Sequence, residues 1–168
     1  EERGVEIAGE GEAVRVPITA DPATLGPVAL VVVCVRYWQT EAAVRAALPI
    51  IGPNTAVVTF QVGWGDADLI AGIVGPERTV IGLTGETIVG DGPGRVAVRF
   101  GGMTLVGGYA PGFDVGRLEG IASALDVDGF IVRVEGAIRQ AVWGTLATDA
   151  CALPLCAILR YDAYQLIE

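Results

Sequence analysis

Apolar runs too short and too β-branched for helices alternate with helix-length segments, and that alternation leaves few folds open. Residues 28–35 read VALVVVCV without a polar break, the pattern of a strand buried on both faces of a parallel sheet. Residues 56–62 and 78–83 repeat it. Between the first two runs, Thr40 is placed to cap a helix with Glu41 in its first turn and Val44, Leu48 and Ile51 on one side, ended by Gly52-Pro53-Asn54. A second helix over 66–74 stops at Gly75-Pro76. Strand, helix, strand, helix, strand predicts right-handed βαβ crossovers.

The flanking segments read differently. Residues 4–18 form a hairpin around a Gly-Glu-Gly turn, and Asp21-Pro22 and Gly26-Pro27 punctuate a loop. Residues 95–100 and 103–107 predict an antiparallel hairpin joined at Gly101-Gly102. A helix over 114–125, a strand over 130–134 and a long helix over 135–159, interrupted at Pro154, complete the chain.

Length and composition bound the function. At 168 residues the chain is one domain, or one with an appendage. A hydrophobic fraction of 52% implies either a partner-covered face or a large core rich in Ala and Gly. The net charge of −9 with no basic run argues against nucleic acid and anionic membranes, and the longest apolar run, 28–35, is too short to cross a bilayer. With no charged-then-apolar leader, no secretion signal is expected and the location is read as cytoplasmic. Cys34, Cys151 and Cys156 read as small buried hydrophobes in a reducing compartment, with no metal site.

All eleven basic residues are arginine, and histidine is absent. Codon usage in a GC-rich genome would give the same bias, but the chemical consequence stands either way. Arginine stays charged at any workable pH, so only carboxylates, cysteines and tyrosines remain to exchange protons.

Several tags occur in a fixed order: Asp21-Pro22 with Leu25-Gly26, residues 31–40 (VVVCVRYWQT), Gly52-Pro53-Asn54-Thr55, Gln61-Val62-Gly63-Trp64-Gly65, Gly75-Pro76-Glu77-Arg78 with Gly82, and residues 138–144 (IRQAVWG) running on to Pro154-Leu155. In this ordered set the chain resembles the ketopantoate reductase family, the NADPH-dependent enzymes of pantothenate synthesis. The resemblance implies an α/β fold: a partial Rossmann-like parallel sheet with an antiparallel hairpin, followed by the first long helix of a helical domain. It divides the chain into residues 1–134, a Rossmann-like domain expected to lack its first βαβ unit, and residues 135–168, the start of a helical domain expected to form a homodimer. The family's G-x-G-x-x-G unit has no counterpart here, since the glycine-dense stretches at 90–94 and 101–102 lie between strands and read as turns.

The resemblance also assigns residues. The family's asparagine against nicotinamide and substrate falls at Val62, after Gln61, and its catalytic lysine falls on Thr145. A substrate-binding asparagine one turn later becomes Asp149, and another becomes Leu153. A lysine near the cofactor becomes Arg36, which keeps a charge for a phosphate. NADP is the implied cofactor of the family, with none expected for the chain as given.

Three functional readings follow. The first is a degenerate relative without competent NADPH-dependent reduction, because a missing general acid costs about 10²–10⁴ in rate. The second is a repurposed pocket of isomerase or cyclase type for a small apolar ligand, using Asp149 and Thr145 with Tyr37 or Glu86. The third is a reductase of a 2-keto acid once the glycine-rich unit is supplied. Trp38, Trp64 and Trp143 read as core or interface anchors before pocket-lining residues, and Arg139 as a surface ion pair or a partner for a substrate carboxylate.

Overall fold

Strand β3 (Ile51–Thr59) lies between β2 (Val28–Val33) and β4 (Thr79–Leu83), all three parallel, in the computed structural model, which describes residues 4–9, 13–61, 63–127, 130–161 and 165. Beyond β4 the sheet continues with β7 (Met103–Gly108), antiparallel to it, and β8 (Ile131–Val134), parallel to β7. The order is β2-β3-β4-β7-β8, so β2 is an edge strand among the described residues.

Helices cover both faces, as continuous apolar strands demand. The alternation along β3 shows it directly. Ala56 and Val58 pack with Val80, Val106 and Val132 under Leu118, Ile121 and Ala122 of α3 (Val115–Leu125). Val57 points the other way, to Val44 of α1 (Thr40–Ala47) and Ile70 and Val74 of α2 (Asp66–Val74). A third cluster joins Ile81 and Leu83 to Ile138 and Val142 of α4 (Ile138–Leu159). Gly107 permits this last contact: a β-carbon there would stand 2.5 Å from the Glu135 carbonyl oxygen and from Ile138 Cβ. The start of α4 is thereby pressed onto the sheet.

The expected βαβ order holds, with several corrections. Residues 95–100 and 103–107 do not pair as a hairpin. Strand β6 (Arg95–Phe100) instead pairs antiparallel with β5 (Thr87–Gly90), a strand missed in the sequence, and parallel with β1 (Glu6–Ile7), forming a separate small sheet. The turn at 91–94 closes the β5–β6 pair, with Asp91 N–H donating to the Arg95 carbonyl at 2.9 Å. Gly101-Gly102 carries the chain from one sheet to the other, and Gly102 N–H donates to Glu86 Oε1 at 2.9 Å, which gives Glu86 a local structural role. At the expected N-terminal hairpin, Val5 and Val14 form an antiparallel bridge, while residues 10–12 lie outside the described residues.

Thr40 is not the cap of α1. Gln39 holds that place, and Thr40 is the first helical residue and fully buried. The helix tightens to a 3-10 turn over Leu48–Ile50, and Gly52-Pro53-Asn54 lies inside β3, where the register against β2 shifts between Val28 and Leu30. Pro154 does not interrupt α4. It sits within a continuous helix, where its missing N–H leaves the Ala150 carbonyl without that partner. Along this helix Leu153, Leu155, Ile158 and Leu159 are exposed, and by length and composition alone α4 is apolar enough to cross a membrane, which reading only unbroken apolar runs had excluded. Of the cysteines only Cys156 is buried; Cys34 and Cys151 are exposed, and all three are free.

Candidate functional site

The loop leaving β3 and the start of α2 form one wall of two recesses. Gly65, in the left-handed region at φ 107°, turns the chain into α2 and puts Asp66 at its first helical position. The first recess, a small one partly open to solvent, is bounded by Thr59, Gln61, Trp64, Asp66, Asp68 and Arg139, with Ile81 and Val142 as an apolar floor. The second lies on the other side of the same loop, among Val35, Arg36, Tyr37, Trp38 and the shared Gln61, Gly63, Trp64 and Asp66.

α4 supplies the far side of the first recess. Trp143 stacks on Trp64 with ring centroids 4.7 Å apart. One turn earlier, Arg139 lies 4.6 Å from the Tyr109 ring centre and 5.8 Å from that of Trp64, and its Nη2 reaches Asp68 Oδ1 at 3.5 Å. The same Asp68 oxygen accepts the Tyr109 hydroxyl at 2.7 Å. That bond stabilises the protonated phenol, so Asp68 pushes the Tyr109 hydroxyl above its ordinary range, against the opposing pull of Arg139. Arg139 is held by a long ion pair to Asp68 and also bears on the Tyr109 hydroxyl, and a guanidinium so placed can still present N–H groups to a planar acid.

Gln61 is a positioning residue. Its Nε2 donates to the buried Thr40 Oγ1 at 2.9 Å, and its backbone N–H donates to Thr59 Oγ1 at 3.3 Å, fixing the loop to the start of α1. Arg36 is exposed and carries no ion pair among the described residues. Its backbone N–H donates to Gln39 Oε1 at 3.2 Å.

Asp66 stands apart from the other acids. It is only 4% exposed, and its Oδ1 is buried without a hydrogen-bond partner among the described residues. The amide end of α2 favours a carboxylate, yet no N–H reaches Oδ1, and burial pushes the Asp66 carboxyl above the usual range.

The residues assigned from sequence divide. Gln61 and Arg36 lie on the two recesses, whereas Val62 lies outside the described residues. Thr145 and Asp149 follow Val142 along one face of α4, both half-buried, and neither borders the two recesses. Leu153 is exposed, and Tyr37 lines the second recess. Arg139 forms the expected ion pair, with Asp68, and borders the first recess. None of the tryptophans belongs to the core: Trp64 and Trp143 pair across the cleft, and Trp38 is 78% exposed. Asp66 and Asp68 received no assignment from the sequence; the signal available was two carboxylates following a Gly-Trp-Gly turn.

Sheet, crossovers and cleft define a Rossmann-like α/β fold. Residues 1–111 match the family model for ketopantoate reductase PanE/ApbA. The 2-dehydropantoate 2-reductase of Halobacterium salinarum is 29% identical over 166 residues, which cover 99% of this chain and 54% of that protein. The crystal structure of 2-dehydropantoate 2-reductase from Geobacter metallireducens is similar at TM-score 0.82 and 24% identity, over 94% of this chain and 53% of that one. The ternary structure of D-mandelate dehydrogenase with NADH and anilino(oxo)acetate is similar at TM-score 0.83 and 22% identity, over 95% and 52% of the two chains. This chain belongs to the ketopantoate reductase family, and it spans about half the length of the relatives it matches.

A nicotinamide dinucleotide, implied by the family, meets a partial fit. Arg36 offers an unpaired cation to a phosphate. The glycine turn that opens α2 does not suit a pyrophosphate, because Asp68 puts negative charge in that first turn and the acid side chain of Asp66 stands beside it. The described residues contribute one cation and no amide cradle to such a group.

Proposed function

We propose that this chain binds a small 2-oxo carboxylate in the Trp64–Arg139 recess, as the substrate side of a ketopantoate-reductase-type protein. The observation that carries this is Arg139, a cation over two aromatic rings whose ion pair to Asp68 is long, beside an apolar floor. A carboxylate pairs with the guanidinium and the remainder of the ligand packs on Trp64, Ile81 and Val142. Both 2-dehydropantoate and anilino(oxo)acetate, named with the relatives above, are 2-oxo carboxylates, which supports the class. The family's nicotinamide cofactor, NADP in this reading, supplies hydride when bound, with Arg36 facing its phosphate. Thr145, standing where the family carries lysine, is a poor acid, so turnover is expected to fall about 10²–10⁴ below that of a lysine-bearing relative.

Calorimetric titration with 2-dehydropantoate and anilino(oxo)acetate tests the binding. Wild type should bind at least one of them, and Arg139→Gln should weaken it by tenfold or more, since a charge-assisted hydrogen bond contributes about 1.5–3 kcal/mol. Equal affinity in the two proteins, or binding by neither, would contradict the proposal.

The exposed apolar residues of α4 support a second copy of the chain as their cover, giving a homodimer. Light scattering should report twice the chain mass, and Ile158→Glu should return it to monomer. A monomer throughout, or flotation of the chain with lipid vesicles, would argue against pairing.

A further inference from the structure

The chain offers the 2-oxo carboxylate of the preceding section a cation for its acid group, but no neutral donor for its carbonyl oxygen has yet been found. Lysine and histidine are absent from the sequence, and arginine cannot give up a proton. Thr145, at the family's lysine position, does not border the recess. Hydrogen bonds to a ligand in the recess can come from the Arg139 and Trp64 N–H groups, a hydroxyl, an amide or a protonated acid. Thr59 Oγ1 accepts from Gln61 N–H, the Gln61 amide is bound to Thr40, and Tyr109 gives its proton to Asp68.

Asp66 differs from these in having a buried oxygen without a hydrogen-bond partner among the described residues. It belongs to the wall common to both recesses and is more than nine-tenths buried, with Oδ1 unpartnered. A buried carboxylate oxygen with no partner is costly, and the cost disappears when it carries a proton and meets an acceptor. The loop leaves it room: a β-carbon at Gly63 would come within 3.2 Å of Asp66 Oδ2.

We propose that Asp66 is the hydrogen-bond donor of the cleft, directing a carboxylic-acid proton at the carbonyl oxygen of a ligand whose carboxylate rests on Arg139. This deepens, and rests on, the reading of the recess as a 2-oxo carboxylate site. The charged and titratable groups around Asp66 are Asp68 and Arg139 on one recess and Arg36 and Tyr37 on the other, with Tyr109 behind Arg139. Both arginines stay charged throughout the workable range. Asp68 adds negative charge to the same wall, which favours the neutral form of Asp66, and burial acts in the same direction. When Asp66 ionises it can no longer donate, and it repels the ligand oxygen it formerly held.

Two measurements on the full chain decide the assignment. The first is the pH dependence of 2-dehydropantoate affinity. Wild type should lose affinity as pH rises through the ionisation of Asp66. Asp66→Asn, which keeps a donor of the same shape, should bind with no such pH dependence, and Asp66→Ala should bind about tenfold more weakly at low pH, the loss of one well-placed hydrogen bond. An unchanged pH profile in Asp66→Asn, or full affinity in Asp66→Ala, would overturn the proposal. The second is infrared difference spectroscopy between wild type and Asp66→Asn near neutral pH. A protonated carboxylic C=O band present in wild type and lost in the variant supports the donor; its absence overturns it. Should wild type bind no 2-oxo carboxylate at all, the reading of the recess fails, and the infrared band still decides whether Asp66 holds a proton to give.

Discussion

Trp64, on the loop leaving β3, and Trp143, on α4, stack with ring centroids 4.7 Å apart and planes inclined by 40°. Their contact joins the loop after a core strand to the helix that follows the sheet. An aromatic pair of this kind contributes about 0.5–1.5 kcal/mol beyond the area it buries. A double-mutant cycle of Trp64→Ala and Trp143→Ala in denaturant unfolding should return a coupling energy in that range. Strictly additive losses would mean that the two rings do not hold the cleft together.

Thr40 and Gln61 tie α1 to the loop of the site. Thr40→Val keeps the shape but leaves the Gln61 amide without its partner in a part-buried position. The expected cost is about 1–3 kcal/mol in chemical denaturation. Because Gln61 lines both recesses, ligand affinity should fall together with stability.

Tyr109 should ionise above the ordinary tyrosine value of about 10. Asp68→Asn removes the accepting carboxylate, so the phenol should titrate lower by ultraviolet difference spectroscopy. Arg139→Gln removes the opposing cation and should shift it further up. By linkage, a phenol whose folded pKa is raised contributes stability that is complete below the unfolded value and is lost as pH rises through the folded one. The stability difference between wild type and Asp68→Asn should accordingly narrow in strong alkali.

Asp66 gives a stability signature of its own. With the folded pKa raised above the unfolded value of about 3.9, the folded state binds more protons, so stability declines as pH rises from there through the folded pKa. Asp66→Asn removes that dependence. Melting temperatures of the two proteins should diverge in favour of the variant as pH rises and then run parallel; a constant offset across the range would contradict a buried, proton-holding acid.

The strand runs 28–35, 56–62 and 78–83 were legible because burial on both faces leaves no polar break, and the core clusters follow that pattern residue by residue. The hairpin at 95–107 was misread because local glycine spacing cannot distinguish a turn within one sheet from a crossing between two. The start of β3 was misplaced because Pro53 resembles a helix stop, yet a strand tolerates proline where its N–H is not needed. For the site, the family tags led to Gln61 and Arg36. They also assign Thr145 and Asp149 along α4, which do not border the two recesses. Asp68 meets Tyr109 from 41 residues away and Arg139 from 71, and no periodicity carries that meeting.

The central claim is that a 2-oxo carboxylate sits between Trp64 and Arg139. The chain has three tryptophans, so its indole N–H groups give three resolvable signals in a nitrogen-edited NMR spectrum. Adding 2-dehydropantoate should move the Trp64 and Trp143 signals and leave Trp38 nearly fixed, with the movement abolished in Arg139→Gln. No movement, or movement of Trp38 alone, would contradict the account.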